Sequence, residues 1–267
     1  MTAGYPLYDL HSHLWPLVAP LHAYEEEMSV WLDLIRERLG EESRGGGPLR
    51  LLDLGSGGGH HLYHLVEGWE GDLGGLAVDR SAAMLERLHS LLPQFDRVQA
   101  DMTVLEHEAR FPLVTVHDSF CYLTRTPEVE ALFRTIARHL EEDGLALVKV
   151  DAVTDDFEGP YRYLTTFEED GREVTLTHYE WDPDPDDSWL EVVYLFLERI
   201  DGSLSSREER HRLGLFSRAQ IATMARQADL IPQWVDLPRW DEERSNLTLL
   251  LSRTKVERAG KGKGRRP

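Results

Sequence analysis

The chain has 267 residues, of which 41% are hydrophobic, and it carries a formal net charge of −19. This length and apolar content suffice for one large domain with its own core, or for a domain with an insert. No apolar run approaches the roughly 18 residues that a membrane-spanning helix needs. Residues 1–14 lack the basic start and apolar centre of a secretory signal, so we expect a cytoplasmic protein.

The charge is unevenly distributed along the chain. Residues 253–267 carry seven basic residues against one acid, which leaves the rest of the chain near −25. A surface this acidic repels phosphate backbones and argues against a nucleic-acid substrate. The basic tail is predicted to be a disordered end, with a contact to nucleic acid or a partner as the alternative. Cys121 is the single cysteine, which excludes an internal disulfide, and we predict it to be buried rather than reactive.

The N-terminal segment, residues 1–45, is rich in aromatic and histidine residues. The pair His11 and His13 has the H-x-H spacing of some metal sites, and His60 and His64 are possible further ligands at helical spacing. No strong strand precedes the pair, however, and nothing resembles the H-E-x-x-H metal motif. The sequence therefore predicts no metal site.

The first strand of the main sheet leads into a glycine loop. Leu51, Leu52 and Leu54 form an apolar run, and glycines follow at 55, 57 and 59. A dinucleotide fingerprint requires a third glycine where this chain has His60, which argues against a nicotinamide cofactor. The observed spacing is acidic-x-G-x-G-x-G, starting at Asp53. A tight turn without a ligand is the alternative interpretation.

The next two predicted strands also end in acidic residues. Residues 73–78 form the second strand and end at Asp79, whose carboxylate can accept hydrogen bonds from two ribose hydroxyls. Asp79 also suits the start of the helix predicted over residues 81–92. The third strand, residues 95–99, is followed by Asp101 and Met102; taken alone, Asp101 is a loop acid.

Two further strands complete an alternation of strands and helices. The fourth strand, residues 112–116, leads into His117, and a helix follows over residues 127–140. A turn at residues 142–144 then precedes the fifth strand, residues 145–150. This alternation predicts an α/β domain with a parallel sheet, whose ligand lies beyond the carboxyl ends of the strands. Asp53, Asp79, Asp101 and His117 all fall at such ends.

After the fifth strand the pattern changes to β-type alternation, which predicts an antiparallel insert at about residues 155–213. Its predicted strands cover residues 161–166, 173–181, 189–199 and 208–213. We expect this sheet to cover the site. The alternative is a sheet that has no role in the site or that forms a dimer surface. Ser217 is predicted to cap a helix that ends near Ala228. Strands at residues 231–236 and 247–252 complete the main sheet.

These motifs together resemble the class I S-adenosylmethionine (SAM) methyltransferases, and in particular bacterial small-molecule N-methyltransferases of the amino-sugar N,N-dimethyltransferase type. The likeness extends over residues 8–252, although the chain has Gly-Ser-Gly-Gly at 55–58 where such proteins often have Cys-Gly-Thr-Gly. It implies a Rossmann-like seven-stranded sheet with an antiparallel β insert after the fifth strand. It also implies a helical lid at residues 1–45, a SAM-binding domain at residues 46–252, and a possible homodimer. The stretches that carry the likeness are residues 8–10, the helix from Tyr24, residues 59–62, 101–102 and 119–123, and His211 ahead of Leu215 and Phe216.

The resemblance also implies roles for individual residues. The acid and glycines of the loop hold the methionine half of SAM, while Asp101 faces the adenine amino group and Met102 packs on the ring. The predicted cofactor-binding residues are Tyr24, Asp53, Gly55, Ser56, Gly57, Asp79, Arg80, Asp101, Met102 and His117. The predicted substrate contacts are Tyr8, Tyr122 and Tyr161.

The predicted reaction is methyl transfer from SAM to a small-molecule amine by in-line displacement, which requires alignment, a dry site and a neutral amine. His117, Asp118 and His211 are the candidates for taking the proton. In the alternative interpretation of His117, its backbone lines the cofactor site. In the alternative interpretation of His211, its side chain only packs against its neighbours. The alternatives in function are a methyltransferase acting on a protein or RNA, and a non-catalytic SAM-binding protein.

Overall fold

A computed structural model describes residues 5–39, 48–169, 171–237 and 247–253, which form two sheets. The larger sheet has seven strands in the order β10-β11-β5-β4-β1-β2-β3. Strands β1 to β5 run parallel, and β11 is antiparallel to both β5 and β10. The sequence-based fold prediction is confirmed. The strands are β1 (Leu49–Leu54), β2 (Leu73–Asp79), β3 (Phe95–Gln99), β4 (Phe111–Val116), β5 (Leu140–Val150), β6 (Tyr161–Glu169), β7 (Arg172–Trp181), β8 (Trp189–Ile200), β9 (Ser203–Gly214), β10 (Ile231–Asp236) and β11 (Leu247–Ser252).

Helices cover both faces of the larger sheet. The helices are α1 (Trp15–Val18), α2 (Glu25–Leu39), α3 (His60–Gly68), α4 (Ala82–Leu91), α5 (Thr126–His139) and α6 (Arg218–Gln227). One apolar core joins α2, α3 and α4 to the sheet and includes Trp31 and Leu62. The core on the opposite face includes Phe133 of α5 and Ile221 of α6. Ser217 accepts a hydrogen bond from Gln220 N and caps α6 as expected from the sequence.

The strand register aligns several polar residues on the face that α2 and α3 cover. Asp53 of β1 lies opposite Thr115 of β4, and Lys149 of β5 lies opposite Thr248 of β11. Because side chains alternate along a strand, His117 shares the face of Thr115. A layer of polar side chains therefore lies under the carboxyl ends of the central strands.

The prediction of a turn at residues 142–144 is wrong. Strand β5 begins at Leu140, which pairs with Phe111, and the pairing resumes with Leu113 opposite Leu145. The residues between these two pairs form a bulge inside the strand. Pairing with β4 on both sides of the bulge overrides the local turn preference of Asp143 and Gly144.

The insert is a four-stranded antiparallel sheet in the order β6-β7-β8-β9. Strand β9 begins at Ser203, five residues earlier than predicted, because it pairs with β8 along that strand's whole length. Leu7 and Leu14 of the N-terminal segment pack on Val174 and Phe196 of this sheet. The insert is thereby joined to the first residues of the chain.

Parts of three sequence predictions lie outside the described residues. They are residues 1–4 and 40–45 of the predicted lid, residues 46–47, 170 and 238–246 of the predicted SAM-binding domain, and residues 254–267 of the predicted tail. Within the described part of the chain, no helix combines the length and apolar character needed to cross a membrane.

Candidate active site

The glycine loop after β1 is packed from two sides. Gly55, Gly57 and Gly59 all have positive φ angles, of 79°, 51° and 81°. A Cβ atom on Gly55 would lie 2.3 Å from Ser119 Cβ, and one on Gly58 would lie 2.6 Å from the Trp15 ring. The loop therefore lies between the residues that follow β4 and the N-terminal segment, with no room for larger side chains at these two positions.

Asp79 at the end of β2 is bonded to the same loop. Its Oδ2 accepts a hydrogen bond from Gly57 N at 2.8 Å, and its Oδ1 accepts one from Ser81 N at 2.8 Å. Burial raises the pKa of this carboxyl group. Each carboxylate oxygen accepts more than one hydrogen bond, so Asp79 keeps capacity for the predicted ribose hydroxyls.

Asp101 and Met102 follow β3, which is the strand next to β2 in the sheet. Asp101 Oδ1 accepts hydrogen bonds from Thr103 N at 2.9 Å and Thr103 Oγ1 at 2.7 Å. Its Oδ2 lies 4.0 Å from Arg80 Nε. The Asp101 side chain is partly exposed and Met102 is buried. Their proposed contacts with adenine stay predictions.

Asp53 lies beneath the glycine loop. Its carboxylate is fully buried, contacts His61 Nε2 at 3.1 Å, and accepts a hydrogen bond from Thr115 Oγ1 at 2.6 Å. Burial acts to raise the pKa of Asp53, but His61 and the hydrogen bonds outweigh it, so the pKa is lowered. Ser56 Oγ donates to Asp53 O at 3.1 Å. These contacts support the loop, and direct contact of Asp53 or Ser56 with a cofactor stays a prediction.

Four ionisable side chains form a closed charged ring at the ends of β4 and β5. The members of the charged ring are Glu27 of α2, His117, Asp118 and Lys149. Glu27 Oε2 contacts His117 Nε2 at 3.1 Å and Lys149 Nζ at 3.0 Å. Asp118 Oδ1 lies 2.8 Å from Lys149 Nζ, and Asp118 Oδ2 lies 3.4 Å from His117 Nδ1. Each carboxylate thus contacts both cations.

The ring alters the protonation of its members. Burial acts to lower the pKa of His117, but Asp118 and Glu27 outweigh it and raise the pKa to about 9. Burial likewise opposes ionisation of Lys149, yet the same two carboxylates raise its pKa well above the ordinary value. The ring therefore holds two cations and two anions at neutral pH. His117 also stacks on His61, with ring centroids 4.9 Å apart.

Asp118 is the member of the ring with the most exposed side chain. Its side chain is 41% exposed, whereas that of Glu27 is 4% exposed. Asp118 has a φ of 50°, a left-handed conformation that aspartate tolerates. Burial and the nearby Asp118 carboxylate raise the pKa of Tyr24 well above its ordinary value. Among the predicted base candidates, Asp118 thus faces the site, while His117 lies behind it.

Asp151 extends this charged region along β5. Its Oδ2 is buried without a hydrogen-bond partner, and burial raises the pKa of Asp151 to about 6. Cys121 Sγ donates a hydrogen bond to Asp118 O at 3.7 Å, and the residue is partly buried. Burial raises the pKa of the Cys121 thiol well above its ordinary value, so the thiol stays protonated at neutral pH.

A second network, built mainly of hydroxyl groups, joins the N-terminal segment to the insert. We call it the tyrosine chain; its members are Tyr8, Tyr122, His211 and Glu209. The Tyr8 and Tyr122 hydroxyls are 2.5 Å apart, and Tyr122 Oη lies 3.1 Å from His211 Nδ1. His211 Nε2 lies 3.4 Å from Glu209 Oε2. The structure thus brings together two predicted substrate residues and one predicted base.

Other residues singled out from the sequence lie apart from these networks. Tyr161 packs edge-on against Phe157, and its hydroxyl accepts a hydrogen bond from Glu158 N. His60 and His64 contact the carbonyl oxygens of Ala19 and Leu21, both at 2.8 Å, and so hold the N-terminal segment. Within residues 5–39, 48–169, 171–237 and 247–253, no group of three or more His, Cys, Asp or Glu side chains has a geometry suited to a metal ion.

Sequence reasoning missed Glu27, Lys149 and Glu209. Lys149 is a lone charge inside the apolar strand of residues 145–150, which is a detectable signal. Glu27 lies one position before Met28 and four before Trp31, on the buried side of α2. Glu209 precedes His211 by two residues and so shares its face of β9.

The strand order, the glycine loop and the acidic residues at the ends of β2 and β3 are those of a class I methyltransferase fold. In this fold the cofactor lies at the carboxyl edge of the sheet. The family model for a methyltransferase domain matches residues 51–144. The chain is also 32% identical over 152 residues to the dTDP-3-amino-3,4,6-trideoxy-alpha-D-glucopyranose N,N-dimethyltransferase of Streptomyces venezuelae. That match covers 57% of this chain and 60% of the relative's length. The resemblance stated from the sequence is confirmed.

Solved structures support the same fold. The crystal structure of Streptomyces venezuelae DesVI superposes with a TM-score of 0.76 at 23% identity, covering 91% of this chain and 98% of the other. SAM-bound CalS10, an amino pentose methyltransferase from Micromonospora echinaspora, superposes with a TM-score of 0.70 at 21% identity, covering 86% and 92%. At these identities the likeness shows the fold.

Proposed function

We propose that the chain is a SAM-dependent methyltransferase that methylates the amino group of a small molecule. The observation that carries this proposal is the position of the N-terminal segment. Trp15 packs against the glycine loop, while Tyr8 bonds to Tyr122 beside the insert. One segment thus covers the cofactor side and the acceptor side together, which suits a small acceptor and exclusion of water.

Several features fit SAM at the carboxyl edge of the sheet. Gly57 leaves space beside the loop backbone, since a Cβ atom there would lie 3.8 Å from the Trp15 ring, and Asp79 retains acceptor capacity for a ribose diol. The partly exposed carboxylate of Asp118 suits a cationic group, such as the ammonium of the methionine moiety. Asp101 and Met102 suit adenine, as the family resemblance implies. When bound, SAM supplies a methyl group on an excellent sulfonium leaving group.

The acceptor class is inferred from the curated relative and from the chemistry of the cleft. That relative's name describes N,N-dimethylation of a nucleotide-linked amino sugar. The half-buried hydroxyls of Tyr8 and Tyr122 border the same region as Asp118 and Tyr24, and they offer hydrogen bonds to an amine or a sugar hydroxyl. We infer an amino sugar linked to a nucleoside diphosphate as the first acceptor to test.

The residues of the chain position the reactants and keep the site dry. Asp118, fixed by Lys149 and His117, presents one carboxylate at a defined place. The N-terminal segment and the insert enclose the amine, whose lone pair must be free for in-line attack. Cytoplasmic location, a homodimer and the absence of a nucleic-acid partner stay predictions.

Incubation with methyl-labelled SAM tests the acceptor. The probes are dTDP-linked 3-amino and 4-amino sugars, the corresponding free amino sugars, bulk RNA and a protein extract. We expect label in a nucleotide-linked amino sugar, with a mass increase of one or two methyl groups. Label confined to RNA or protein would contradict the proposal, as would SAM binding without transfer to any fraction.

Calorimetric titration of SAM tests the cofactor site. Asp79→Ala removes the acceptor proposed for the ribose hydroxyls, and we expect Kd to rise by about ten- to a hundredfold. Asp96→Ala removes an exposed acid on the neighbouring strand β3 and is the matched control. Equal affinities of these two variants for SAM would overturn the proposed contact.

A further inference from the structure

The tyrosine chain has a defined direction of hydrogen bonding. Glu209 Oε2 accepts a hydrogen bond from Leu7 N at 2.9 Å, which holds the carboxylate in place. A carboxylate only accepts hydrogen bonds, so the Nε2 atom of His211 carries the proton shared with it. The other ring nitrogen, Nδ1, is then an acceptor. Tyr122 therefore donates to His211, and Tyr8 donates to Tyr122.

With this direction of donation, the Tyr8 hydroxyl oxygen keeps a lone pair that is not used within the tyrosine chain. The Tyr8 hydroxyl uses its proton toward Tyr122, so its oxygen remains available to accept a hydrogen bond. Ser81 Oγ donates to Tyr8 O at 2.7 Å, and Ser81 N also bonds to Asp79. The backbone of Tyr8 is thus held by Ser81, which lies two residues after Asp79, the carboxylate proposed to hold the ribose.

The tyrosine chain is partly exposed to solvent at one end and buried at the other. Tyr8 and Tyr122 are partly buried, whereas His211 has no exposed surface and Glu209 has 6%. Tyr5 stacks on the His211 ring at 3.9 Å, and Tyr194 approaches it edge-on at 4.9 Å. Within the described part of the chain, hydrogen bonds connect His211 to Tyr8 through Tyr122. Burial raises the pKa of both Tyr8 and Tyr122, so these hydroxyls stay neutral.

We propose that His211, held by Glu209, takes up the proton of the acceptor ammonium through Tyr122 and Tyr8. This inference rests on the proposed amine methylation. The ammonium N–H proton passes to Tyr8 Oη as the Tyr8 proton moves to Tyr122 Oη and the Tyr122 proton moves to His211 Nδ1. Both tyrosines end neutral, the amine gains its lone pair, and His211 becomes an imidazolium beside the Glu209 side chain. After product release the proton returns to water by the reverse path.

In this scheme Tyr8 contacts the substrate, while Glu209 is a positioning residue. Glu209 fixes the tautomer that makes Nδ1 an acceptor and stabilises the imidazolium once it forms. The same logic assigns the carboxylate its role in hydrolytic triads. Within the described residues, the groups that face His211 are Glu209, Tyr122, Tyr5, Tyr8 and Tyr194, and Glu209 is the carboxylate among them.

The pH dependence of methyl transfer tests the proposal. Glu209→Gln keeps the shape of the side chain but removes its charge, and Tyr122→Phe interrupts the chain. At about pH 7 we expect kcat/KM for the amino-sugar acceptor to fall by about ten- to a hundredfold in both variants. Above the pKa of the acceptor amine the substrate is already neutral, so both variants should approach the wild-type rate. A defect that is equal at all pH values, or no defect, would overturn the proposal.

A matched control and a second readout separate this inference from the proposed function. Glu208→Gln makes the same change at the neighbouring, exposed residue of β9, which pairs with Arg210, and should leave the pH profile unchanged. Nitrogen-15 spectra of histidine-labelled protein without substrate report the tautomer of His211 directly. We expect Nε2–H in the wild type and a changed population in Glu209→Gln. A wild-type protein that methylates no amine refutes the proposed function, whereas an Nδ1–H tautomer refutes the direction of the chain.

Discussion

The charged ring and the tyrosine chain are two buried polar networks that differ in the kind of group they contain. The ring opposes two carboxylates to two cations, and the pKa of His117 rises to about 9. The tyrosine chain holds neutral hydroxyls whose pKa values are raised by burial, and it ends at a single carboxylate. The first network fixes charges in place, while the second leaves protons able to move along hydrogen bonds.

The difference follows from what surrounds each network. The ring is formed by strand ends and by the first turn of α2, where burial would expose any unpaired charge to a large desolvation cost. The tyrosine chain joins an N-terminal segment, a 3-10 helix at Phe120–Tyr122 and a strand of the insert. Loss of one hydrogen bond there costs far less than loss of one ion. Substitutions should therefore separate the two networks by magnitude and by pH dependence.

Lys149→Met should have the largest effect on stability. It leaves Glu27 and Asp118 with His117 as their only partner within the ring, and breaking a buried ionic group by removing one member costs about 3–5 kcal/mol. The free energy of unfolding in urea measures this loss, with Lys149→Arg as the charge-conserving control. A loss of less than about 1 kcal/mol, in the range of a surface ion pair, would show that the ring is not a structural unit.

His117→Gln should cost about 2–3 kcal/mol near pH 7 and progressively less at higher pH. The pKa of His117 is about 9 in the folded protein, against about 6.5 in an unfolded chain. Its stabilisation is therefore complete below about pH 6.5 and is lost as the pH rises through 9. Unfolding curves of both proteins at about pH 6, 8 and 10 should converge at the highest value. A difference that stays constant with pH would point to packing rather than charge.

Asp151→Asn should raise stability by about 2–3 kcal/mol at neutral pH. The pKa of Asp151 is about 6 in the folded protein and about 3.9 when unfolded. The folded state therefore binds more protons between these values, so the wild type loses stability as the pH rises from about 4 to about 6. Thermal denaturation of both proteins at about pH 4 and 8 should show the gain only at the higher pH. A gain in stability at both pH values would show that ionisation of Asp151 is not its cause.

Tyr122→Phe should have the smallest effect on stability. It removes neutral hydrogen bonds, each worth about 0.5–1.5 kcal/mol, and its cost should not vary between about pH 6 and 9. The same urea unfolding measurements provide the comparison. A loss as large as that of Lys149→Met would mean that the two networks do not differ as described.

The parallel sheet and its acidic strand ends are predictable from sequence because their signals are local. Asp79 ends the apolar run of β2, Asp101 comes two positions after the end of β3, and the glycine loop after Leu54 marks where the first strand stops. The turn expected at residues 142–144 shows the limit of such signals. The preference of Asp143 and Gly144 for a turn is local, but pairing with β4 is not, and the pairing determines the outcome.

The two networks depend on docking that no local pattern contains. Glu27 and Lys149 are 122 positions apart, and they meet only because α2 covers the face of β5. His211 was singled out by resemblance, yet its position behind Tyr122 depends on how β9 lies against the N-terminal segment. Lone charges in apolar stretches, such as Lys149, mark residues that need a distant partner without naming that partner.

The contact between Trp15 and the glycine loop bears on the order of kinetic events. Because the segment that covers the loop also carries Tyr8, we expect exchange of the proposed SAM cofactor to disturb the proposed acceptor site. Product inhibition should therefore follow an ordered pattern, in which the cofactor enters before the acceptor and its demethylated form leaves last. If the acceptor is an amino sugar that takes two methyl groups, it would have to dissociate between the two transfers, and the monomethylated species should accumulate in solution early in the reaction.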